Sequence, residues 1–466
     1  MNPLRYTVCI ILCMCLVVFC ITGCASLPEE HEQSVNYARQ ARYNEALNFL
    51  ETNKKSLYGQ RDAVLYNLDE GVLRYYAGDY AGSVKQLDDA KKLIFGFYTK
   101  SITQEASSFI VNDTTVDYPG EDYEDIYANL FMSLSYYHQN KLDDALVEMN
   151  RFINKVQEIS SHHEEELFKA RKAANDSNQK PVTIEFHNSA LGQYLSMLYH
   201  RASGDKDAAY ADNHLLSDAF LTQKNLYPFP EPLSVGSELS VPKGKGRLNV
   251  IAFSGLAPVK YEEKVHFMED YVLALPIMKK QPSPVGWIQV TVTDPATAET
   301  VSTSLEEIES IENIAMDTFK IRSSIIYSKA VARCMIKGTT TVASRVAGEQ
   351  MSNNDDSNVA ALGTMLELFS SVNRLSNELT ESADLRTSRY FPARADVGGI
   401  TLNPGIYDVS VSFYTAQGGT LLATRQYQGI SVQPEKLALV EAACLGDKIE
   451  ITPAADRQGT ATRMHQ

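Results

Sequence analysis

Two spacings of hydrophobic residues divide this chain into two parts. Up to about residue 226, apolar residues recur every three or four positions, which is typical of amphipathic helices. Beyond that point the period becomes two, in segments 248–253, 287–293 and 407–413, and this alternation predicts strands. A proline- and glycine-rich stretch separates the two patterns, so the sequence predicts an α+β chain with a linker at 227–246.

The β-rich part is itself divided by a helical segment. Residues 247–303 and 386–455 predict a β-sandwich-like domain. Between them, residues 304–385 predict a helical insertion, which Ser304 and Glu307 would begin as a capping box. A second helix of the insertion is predicted over 357–375, and residues 456–466 are predicted to be a disordered tail.

Four segments of the helical part, 24–226, share one pattern. Each has a small or aromatic residue in a first helix, then a turn, then a small and an apolar residue in a second helix; they are 37–50, 71–90, 133–149 and 194–209. The pattern resembles the tetratricopeptide repeat (TPR), in which small residues let paired helices pack closely. The resemblance implies an N-terminal TPR-like α-solenoid that is interrupted by insertions and has a concave face for a partner.

Tyrosine and glutamate supply the candidate residues for partner binding. Most of the 25 tyrosines are expected to fill the core of the repeats, but exposed ones on a concave face, with Tyr75, Tyr80 and Tyr136 as candidates, would suit protein binding. Glu121 and Glu124 begin a predicted helix, where the helix dipole stabilises carboxylates. Capping explains these two glutamates, and a partner-facing site is the alternative.

The N-terminus has the form of an export signal. A single positive charge, an apolar run over 8–21 and small residues before a cut predict a signal peptide at 1–23. Ile21-Thr22-Gly23-Cys24 also resembles the bacterial lipobox, which implies cleavage before Cys24 and acylation of its thiol. An ordinary secretory cut or a retained anchor is the alternative. Because no Asp follows Cys24, the resemblance implies anchoring in the outer membrane, facing the periplasm. Two or three acyl chains would make a stable anchor.

Composition and cysteine usage further restrict the classes of partner and of covalent cross-link that the chain could have. The chain has 466 residues, 43 Lys+Arg and 58 Asp+Glu, with a net charge of -15, and this acidic balance argues against nucleic acid as a partner. Of seven cysteines, only Cys334 and Cys444 lie beyond the lipobox, and two separate thiols are favoured over a disulfide.

The densest group of charges lies between the helical insertion and the last strands. Asp384, Arg386, Arg389 and Arg394 could bind an anion or a lipid headgroup, because guanidinium groups favour planar bidentate partners. A cluster of internal salt bridges is the favoured interpretation. Residues 162–166, two histidines and three glutamates, predict a solvated helix face rather than a metal site, because adjacent helical residues point about 100° apart. No nucleophile-elbow, P-loop or dinucleotide motif is present, so the sequence predicts no catalytic residue, metal or cofactor.

Four further motifs lie at 118–124, 255–260, 271–276 and 383–394. With the lipobox and the repeats, they resemble a poorly characterised family of bacterial TPR-like outer-membrane lipoproteins, although Leu385 and Tyr390 depart from the pattern of the last motif. The resemblance implies a non-catalytic scaffold that recruits another envelope protein. A glycan- or anion-binding module in the β domain, near Arg386 and Arg389, is the first alternative. An envelope hydrolase is the second.

Overall fold

The computed structural model describes residues 31–103, 113–173, 182–267, 271–346, 382–446 and 450–451. About 48% of these residues are helix and 24% are strand, so the class is mixed α+β, as the periods predict. The helices are α1 (Glu32–Arg39), α2 (Tyr43–Thr52), α3 (Lys54–Leu57), α4 (Ala63–Ala77), α5 (Tyr80–Thr103), α6 (Asp122–His138), α7 (Leu142–His162), α8 (Glu164–Ala173), α9 (Ala190–Ser203), α10 (Lys206–Thr222) and α11 (Ile311–Val346). The strands are β1 (Gly246–Ser254), β2 (Val259–Phe267), β3 (Tyr271–Lys279), β4 (Val285–Thr293), β5 (Thr300–Ser310), β6 (Arg394–Leu402), β7 (Gly405–Thr415), β8 (Leu421–Val432), β9 (Leu437–Cys444) and β10 (Glu450–Ile451).

Four helical hairpins are formed by α1 with α2, α4 with α5, α6 with α7, and α9 with α10. All four turns contain a residue in the left-handed region at the same position: Ala41 (φ 56), Gly78 (φ 82), Asn140 (φ 58) and Gly204 (φ 83). In each turn the next amide donates to the carbonyl five residues back, as Asp79 does to Arg74 at 2.9 Å. This bond closes the end of the first helix and redirects the chain.

Small buried residues set how closely the paired helices approach. Five residues after each left-handed residue comes a small side chain with no exposed surface: Ala46, Ser83, Ala145 and Ala209. Ser34 and Ser133 in the first helices donate to the carbonyls of Ala46 and Ala145, at 3.2 and 2.8 Å. A Cβ at Gly71, the equivalent position of the second hairpin, would lie 2.6 Å from Leu87. The repeated pattern in the sequence therefore corresponds to repeated contacts.

One eight-stranded sheet, in the order β10-β8-β7-β4-β5-β6-β1-β9, forms the second half of the fold. Its outer strands approach each other, since Arg425 Nε donates to the Ala443 carbonyl at 3.1 Å and the Tyr427 hydroxyl donates to the Glu441 carbonyl at 2.6 Å. The sheet is thus a nearly closed barrel, whereas a sandwich was expected. The difference arises because β1 pairs with both β6 and β9, and alternation in a sequence does not encode such distant pairings.

The barrel strands bury alternate residues inside the barrel, and the helices cover one outer side of it. In β1 all nine residues are buried, because Leu248 and Val250 face the barrel interior while Ile251 and Phe253 belong to the core shared with the helices. Strands β6 and β9 contribute to the same shared core through Val397 and Leu439, among others. The outer side of β4, β7 and β8 therefore lies away from the helices.

The predicted helical insertion begins later than the pattern suggested. β5 continues to Ser310, through the predicted capping residues Ser304 and Glu307, and α11 follows at once. Ser304 pairs with Gln289 of β4 instead of capping a helix. The second predicted helix, 357–375, and the predicted tail lie outside the described residues. Within those residues, no helix is long and apolar enough to cross a membrane.

Candidate functional site

An extended segment crosses the first helices of the first three hairpins. This segment, residues 382–393 and here called the strap, has no helix or strand and leads into β6. Its Tyr390 hydroxyl donates to Ser34 of α1 at 2.8 Å, and Phe391 packs against Phe131 of α6 with ring centroids 5.8 Å apart. Tyr390 and Phe391 have no exposed surface, so the strap is part of the core.

Arg386, a predicted anion-binding residue, is satisfied by the protein itself. Its guanidinium donates twice to Asp384 at 2.9 Å, once to Asp62 at 3.1 Å, and to the carbonyls of Asp113 and Val116 at 3.0 and 3.1 Å. All three nitrogens of the guanidinium donate to groups of the protein, and the residue is buried. In this structure Arg386 therefore takes part in internal salt bridges, which is the interpretation that the sequence favoured, and the anion site at Arg386 stays a prediction.

The next part of the strap is held by a buried carboxylate of α4. Asp69 accepts bonds from the Ser388 hydroxyl at 2.7 Å and from the Arg389 amide at 2.9 Å, and it pairs with the Arg389 guanidinium at 3.5 Å. Burial raises the pKa of Asp69, and the Arg389 charge opposes that rise. Arg389, the second predicted anion ligand, thus also has an internal carboxylate as its partner.

Glu124 of α6 binds the strap from the other side. One carboxylate oxygen accepts from the Ser388 amide at 2.6 Å and from Thr387 at 3.1 Å, and the other accepts from the Tyr118 hydroxyl at 2.7 Å and the Glu121 amide at 2.9 Å. Burial, with the nearby Glu121 charge, raises the pKa of Glu124 to about 7. Glu124 caps its helix, as the sequence predicted, and also fixes the strap.

Three of the predicted partner-facing residues are inaccessible in this structure. Tyr75 is buried against Phe131, with ring centroids 4.9 Å apart. Glu121 is buried in an ion pair with Lys260 of β2, and Glu124 is bound as described. These three side chains cannot meet a partner without a rearrangement, because each is buried in contacts with other parts of the chain.

The other two predicted partner residues are partly exposed and lie near hairpin turns. Tyr80 stacks on His138 with ring centroids 4.2 Å apart. The ammonium of Lys141 lies 5.7 Å from the ring centre of Tyr136. Burial raises the pKa of Tyr136.

A buried glutamate that no sequence pattern singled out joins the barrel to the helices. Glu309, at the end of β5, accepts bonds from Ser189 at 2.7 Å, from the Leu191 amide at 3.0 Å, from Tyr227 at 2.9 Å and from Tyr127. Burial raises the pKa of Glu309, while these hydrogen bonds lower it. Because the chain has 58 acidic residues, only the fold distinguishes this one.

Arg394, the third predicted anion ligand, lies beside a cleft of about 440 Å³. Its Nε donates to Asp396 at 2.8 Å, and Glu307 lies 4.0 Å from its guanidinium. Lys280, also on the cleft, pairs with Glu312 at 2.9 Å. The cations of this cleft are therefore neutralised by neighbouring carboxylates, which argues against a strong anion site.

His163 and Cys444 have structural surroundings. Burial lowers the pKa of His163, but its pairing with Asp122 at 2.9 Å outweighs this and raises the pKa to about 9. The described residues contain no cluster of His, Cys, Asp and Glu able to hold a metal. Cys444 is buried, with its Sγ 3.3 Å from the Gly446 carbonyl oxygen. The side chain of Cys334 and the whole of Cys24 lie outside the described part, so the thiol and lipidation predictions stay predictions.

The outer side of the barrel carries a feature that the sequence analysis missed. Trp287 of β4 and Tyr414 of β7 stack with ring centroids 4.0 Å apart and an interplanar angle of 6°. The polar residues that alternate with buried ones along β4, such as Gln289 and Thr291, lie on the same side. The alternation of polar and apolar residues next to the single tryptophan of the chain was the sequence signal for this feature.

Comparison with known proteins found no match to the chain among family models, curated proteins or solved structures.

Proposed function

We propose that this chain is a lipid-anchored envelope protein that acts as a non-catalytic scaffold for another envelope protein. The lipobox-like run that ends in Cys24 supports the anchor. The single observation that carries the scaffold role is the equivalence of the four hairpins. Each has the same left-handed turn position and the same buried small residue, as expected of repeats that evolved to display a surface.

The hairpins also pack on one another in chain order, which supports a TPR-like solenoid. α2 contacts α4, α5 contacts α6, and α7 contacts α9. In such arrays the first helices line the concave face, and extended peptides are typical ligands of grooves of this kind. Here the strap covers the first helices of three hairpins, and Tyr75, Glu121 and Glu124 are buried in contacts within the chain. The partner surface is therefore assigned elsewhere on the array.

We assign it to the edge where the hairpins turn. This turn edge is defined by Tyr37, Tyr80 and Tyr136, which are all partly exposed. Tyr37 and Tyr136 occupy equivalent positions, and each has a cation from five residues later near its ring: Arg42 at 4.6 Å and Lys141 at 5.7 Å. Tyrosine with an adjacent cation offers area and hydrogen bonds at low entropic cost, which is typical of protein interfaces.

Site-specific photo-crosslinking in intact cells tests the turn edge. A photoreactive phenylalanine analogue would replace Tyr37, Tyr80 or Tyr136 in turn, and Phe168 as the control. Phe168 is 69% exposed but belongs to α8, outside the four hairpins. We expect the turn-edge positions to give one common adduct with an envelope protein and Phe168 to give none of it. Equal adducts from Phe168, or no adduct from any turn-edge position, would contradict the assignment.

The lipid anchor has a separate test. Cys24→Ser should abolish labelling with an alkyne fatty acid and should release the chain from the membrane fraction. Cys20→Ser, inside the predicted signal peptide, is the matched control and should leave labelling intact. Continued labelling of the Cys24→Ser protein would end the lipoprotein proposal.

A further inference from the structure

The outer side of the barrel opposite the helices carries three rows of uncharged residues. We call this surface the neutral face, and it is formed by β4, β5, β7 and β8. Its rows are Trp287 and Tyr414; then Gln289, Ser304, Ser412 and Thr424; then Thr291, Ser302, Ser410 and Gln426.

The strand register places these residues side by side. Gln289 pairs with Ser304 on one neighbouring strand and with Ser412 on the other, and Thr291 pairs with Ser302 and Ser410 in the same way. Within the rows, the Thr291 and Ser302 hydroxyls lie 2.9 Å apart. The Ser412 and Thr424 hydroxyls lie 3.0 Å apart. Such contacts require both side chains to be on one side of the sheet, so the face is continuous.

An aromatic pair ends the face on one side. Trp287 is 39% exposed, and Tyr414 covers one of its two ring faces. The pair follows a bulge in β4, where Gly286 approaches the next strand so closely that a Cβ would lie 2.2 Å from the Cα of Ala416. Only a glycine fits at position 286, and the bulge turns the Trp287 side chain towards Tyr414.

The absence of charge from the neutral face restricts its ligand. None of its ten residues is ionisable except the Tyr414 phenol, although 22% of the chain is charged and the net charge is -15. An anionic polymer would meet no cation here and would be repelled by the protein as a whole. A basic partner would meet no carboxylate within the three rows, and the two carboxylates that flank the rows are engaged, since Glu306 accepts from the Leu233 amide at 2.9 Å and Asp408 accepts from the Gly429 amide at 3.0 Å. A ligand that is uncharged and rich in hydroxyl groups matches the face, because its hydroxyls can exchange hydrogen bonds with the Ser, Thr and Gln side chains.

We propose that the neutral face binds an uncharged polysaccharide. The C–H side of one sugar ring lies against the exposed ring of the aromatic pair, since that side is apolar and aromatic rings combine apolar area with a polar edge. Neighbouring sugars lie along the hydroxyl and amide rows, where Gln289 and Gln426 offer both donors and acceptors. This binding is independent of the scaffold role, because the turn edge and the neutral face share no residue.

The test uses the Cys24→Ser chain from residue 24 onward together with four polymers: cellulose, chitin, xylan and starch. We expect retention on at least one polymer, and retention that persists at high salt because no charge takes part. A soluble oligosaccharide of the retained polymer should shift the emission of Trp287, the only tryptophan in the chain.

Variants locate the binding. Trp287→Ala and Tyr414→Ala should each weaken retention about tenfold, as expected from a stacking contribution of about 1.5 kcal/mol. Gln289→Ala with Ser412→Ala should weaken retention while leaving the stacked pair in place. Tyr261→Ala is the matched control, since Tyr261 is 49% exposed on the separate β2–β3 hairpin and should bind as the parent does.

Two results would overturn the proposal. One is no retention on any of the four polymers by a chain whose far-ultraviolet circular dichroism is native. The other is retention that Trp287→Ala and Tyr414→Ala leave unchanged. Neither result bears on the scaffold proposal, which depends on the photo-crosslinks from the turn edge.

Discussion

The two outer sides of the barrel differ in how they use polar residues. On the helix side, charged groups are buried and paired: Glu309 binds four donors, and Glu238 pairs with Arg201 at 2.5 Å and with Arg247 at 2.8 Å. On the opposite side, the neutral face carries uncharged side chains that are exposed or partly exposed. A buried charge is tolerated only when its partners are fixed, so the helix side has a structural role. The neutral face has no such constraint, and its composition is open to selection for binding.

The largest expected effect is on the helix side. Glu309→Ala would leave Tyr127, Tyr227 and the Leu191 amide buried without their acceptor. We expect the free energy of unfolding to fall by about 4 kcal/mol, measured by guanidinium denaturation. Glu306→Ala on the same strand is the control. It removes one bond, to the Leu233 amide at 2.9 Å, and should cost about 1 kcal/mol. Equal stability of the two variants would mean that Glu309 does not join the two halves.

Arg386 distinguishes a structural residue from a ligand-binding residue. The guanidinium of Arg386 donates to Asp384, Asp62 and two carbonyls, so Arg386→Ala leaves these buried acceptors without a partner. We expect this variant to lower the free energy of unfolding by about 3 kcal/mol. Arg386→Lys should recover only part of this, since an ammonium cannot reproduce the planar fork. The anion interpretation instead expects normal stability for Arg386→Ala, together with loss of a rise in melting temperature that phosphate induces in the parent.

Glu124 makes stability depend on pH. Its pKa in the folded protein is about 7 against the ordinary value of 4.5, so between these values the folded state binds more protons than the unfolded state. The contribution of Glu124 to stability should therefore fall as pH rises from 4.5 to 7, by no more than about 3 kcal/mol, and be level above 7. Glu124→Gln removes this pH-dependent contribution, because an amide does not titrate in this range.

The measured quantity is the difference in free energy of unfolding between the parent and Glu124→Gln. Taking a difference cancels other groups that titrate nearby, such as Glu307, whose pKa burial raises to about 7. His163, with a pKa of about 9, loses its contribution as pH rises from 6.5 through 9, so the comparison is sharpest between pH 4.5 and 6.5. A difference that stays constant across that window would rule out an ionisable Glu124 in the core.

The smallest effects are expected on the neutral face. Thr291→Ala should change the free energy of unfolding by less than about 0.5 kcal/mol, as for ordinary surface substitutions. Trp287→Ala should cost about 1 kcal/mol through loss of its stack on Tyr414. Thermal denaturation of both variants measures this. Losses above about 2 kcal/mol at Thr291 would show that the face is packed rather than exposed.

The spacing of hydrophobic residues predicted much of this fold. It failed where a helix and a strand are both compatible with the same spacing. Ser304 and Glu307, as a capping box, indicated a helix from 304 onward, and Leu305, Ile308 and Ile311 recur every three residues as in a helix. In the structure, Leu305 faces the barrel interior while Ile308 belongs to the core shared with the helices. A strand that is buried on both sides also buries residues three positions apart, so the local pattern alone could not separate the two elements.

The candidate sites were predictable to different extents. Because Asp384 is close to Arg386 in the sequence, internal salt bridges could be predicted there. The other carboxylates that bind this segment, Asp62 and Asp69, lie more than 300 positions away in the sequence and could not be predicted. Tyr75 could not be distinguished from Tyr136 by residue type, because only packing decides which tyrosine is buried. Long-range contacts, which no single sequence pattern encodes, account for these failures.

Hydrogen exchange of the strap tests most directly the claim that the strap is packed against the first helices of the chain's own hairpins. The amides of Ser388 and Arg389 donate to Glu124 at 2.6 Å and to Asp69 at 2.9 Å, so peptides covering 384–391 should exchange as slowly as those of α6. Exchange as fast as in the exposed turn at 416–419 would contradict this claim and would leave the first helices accessible to an external partner.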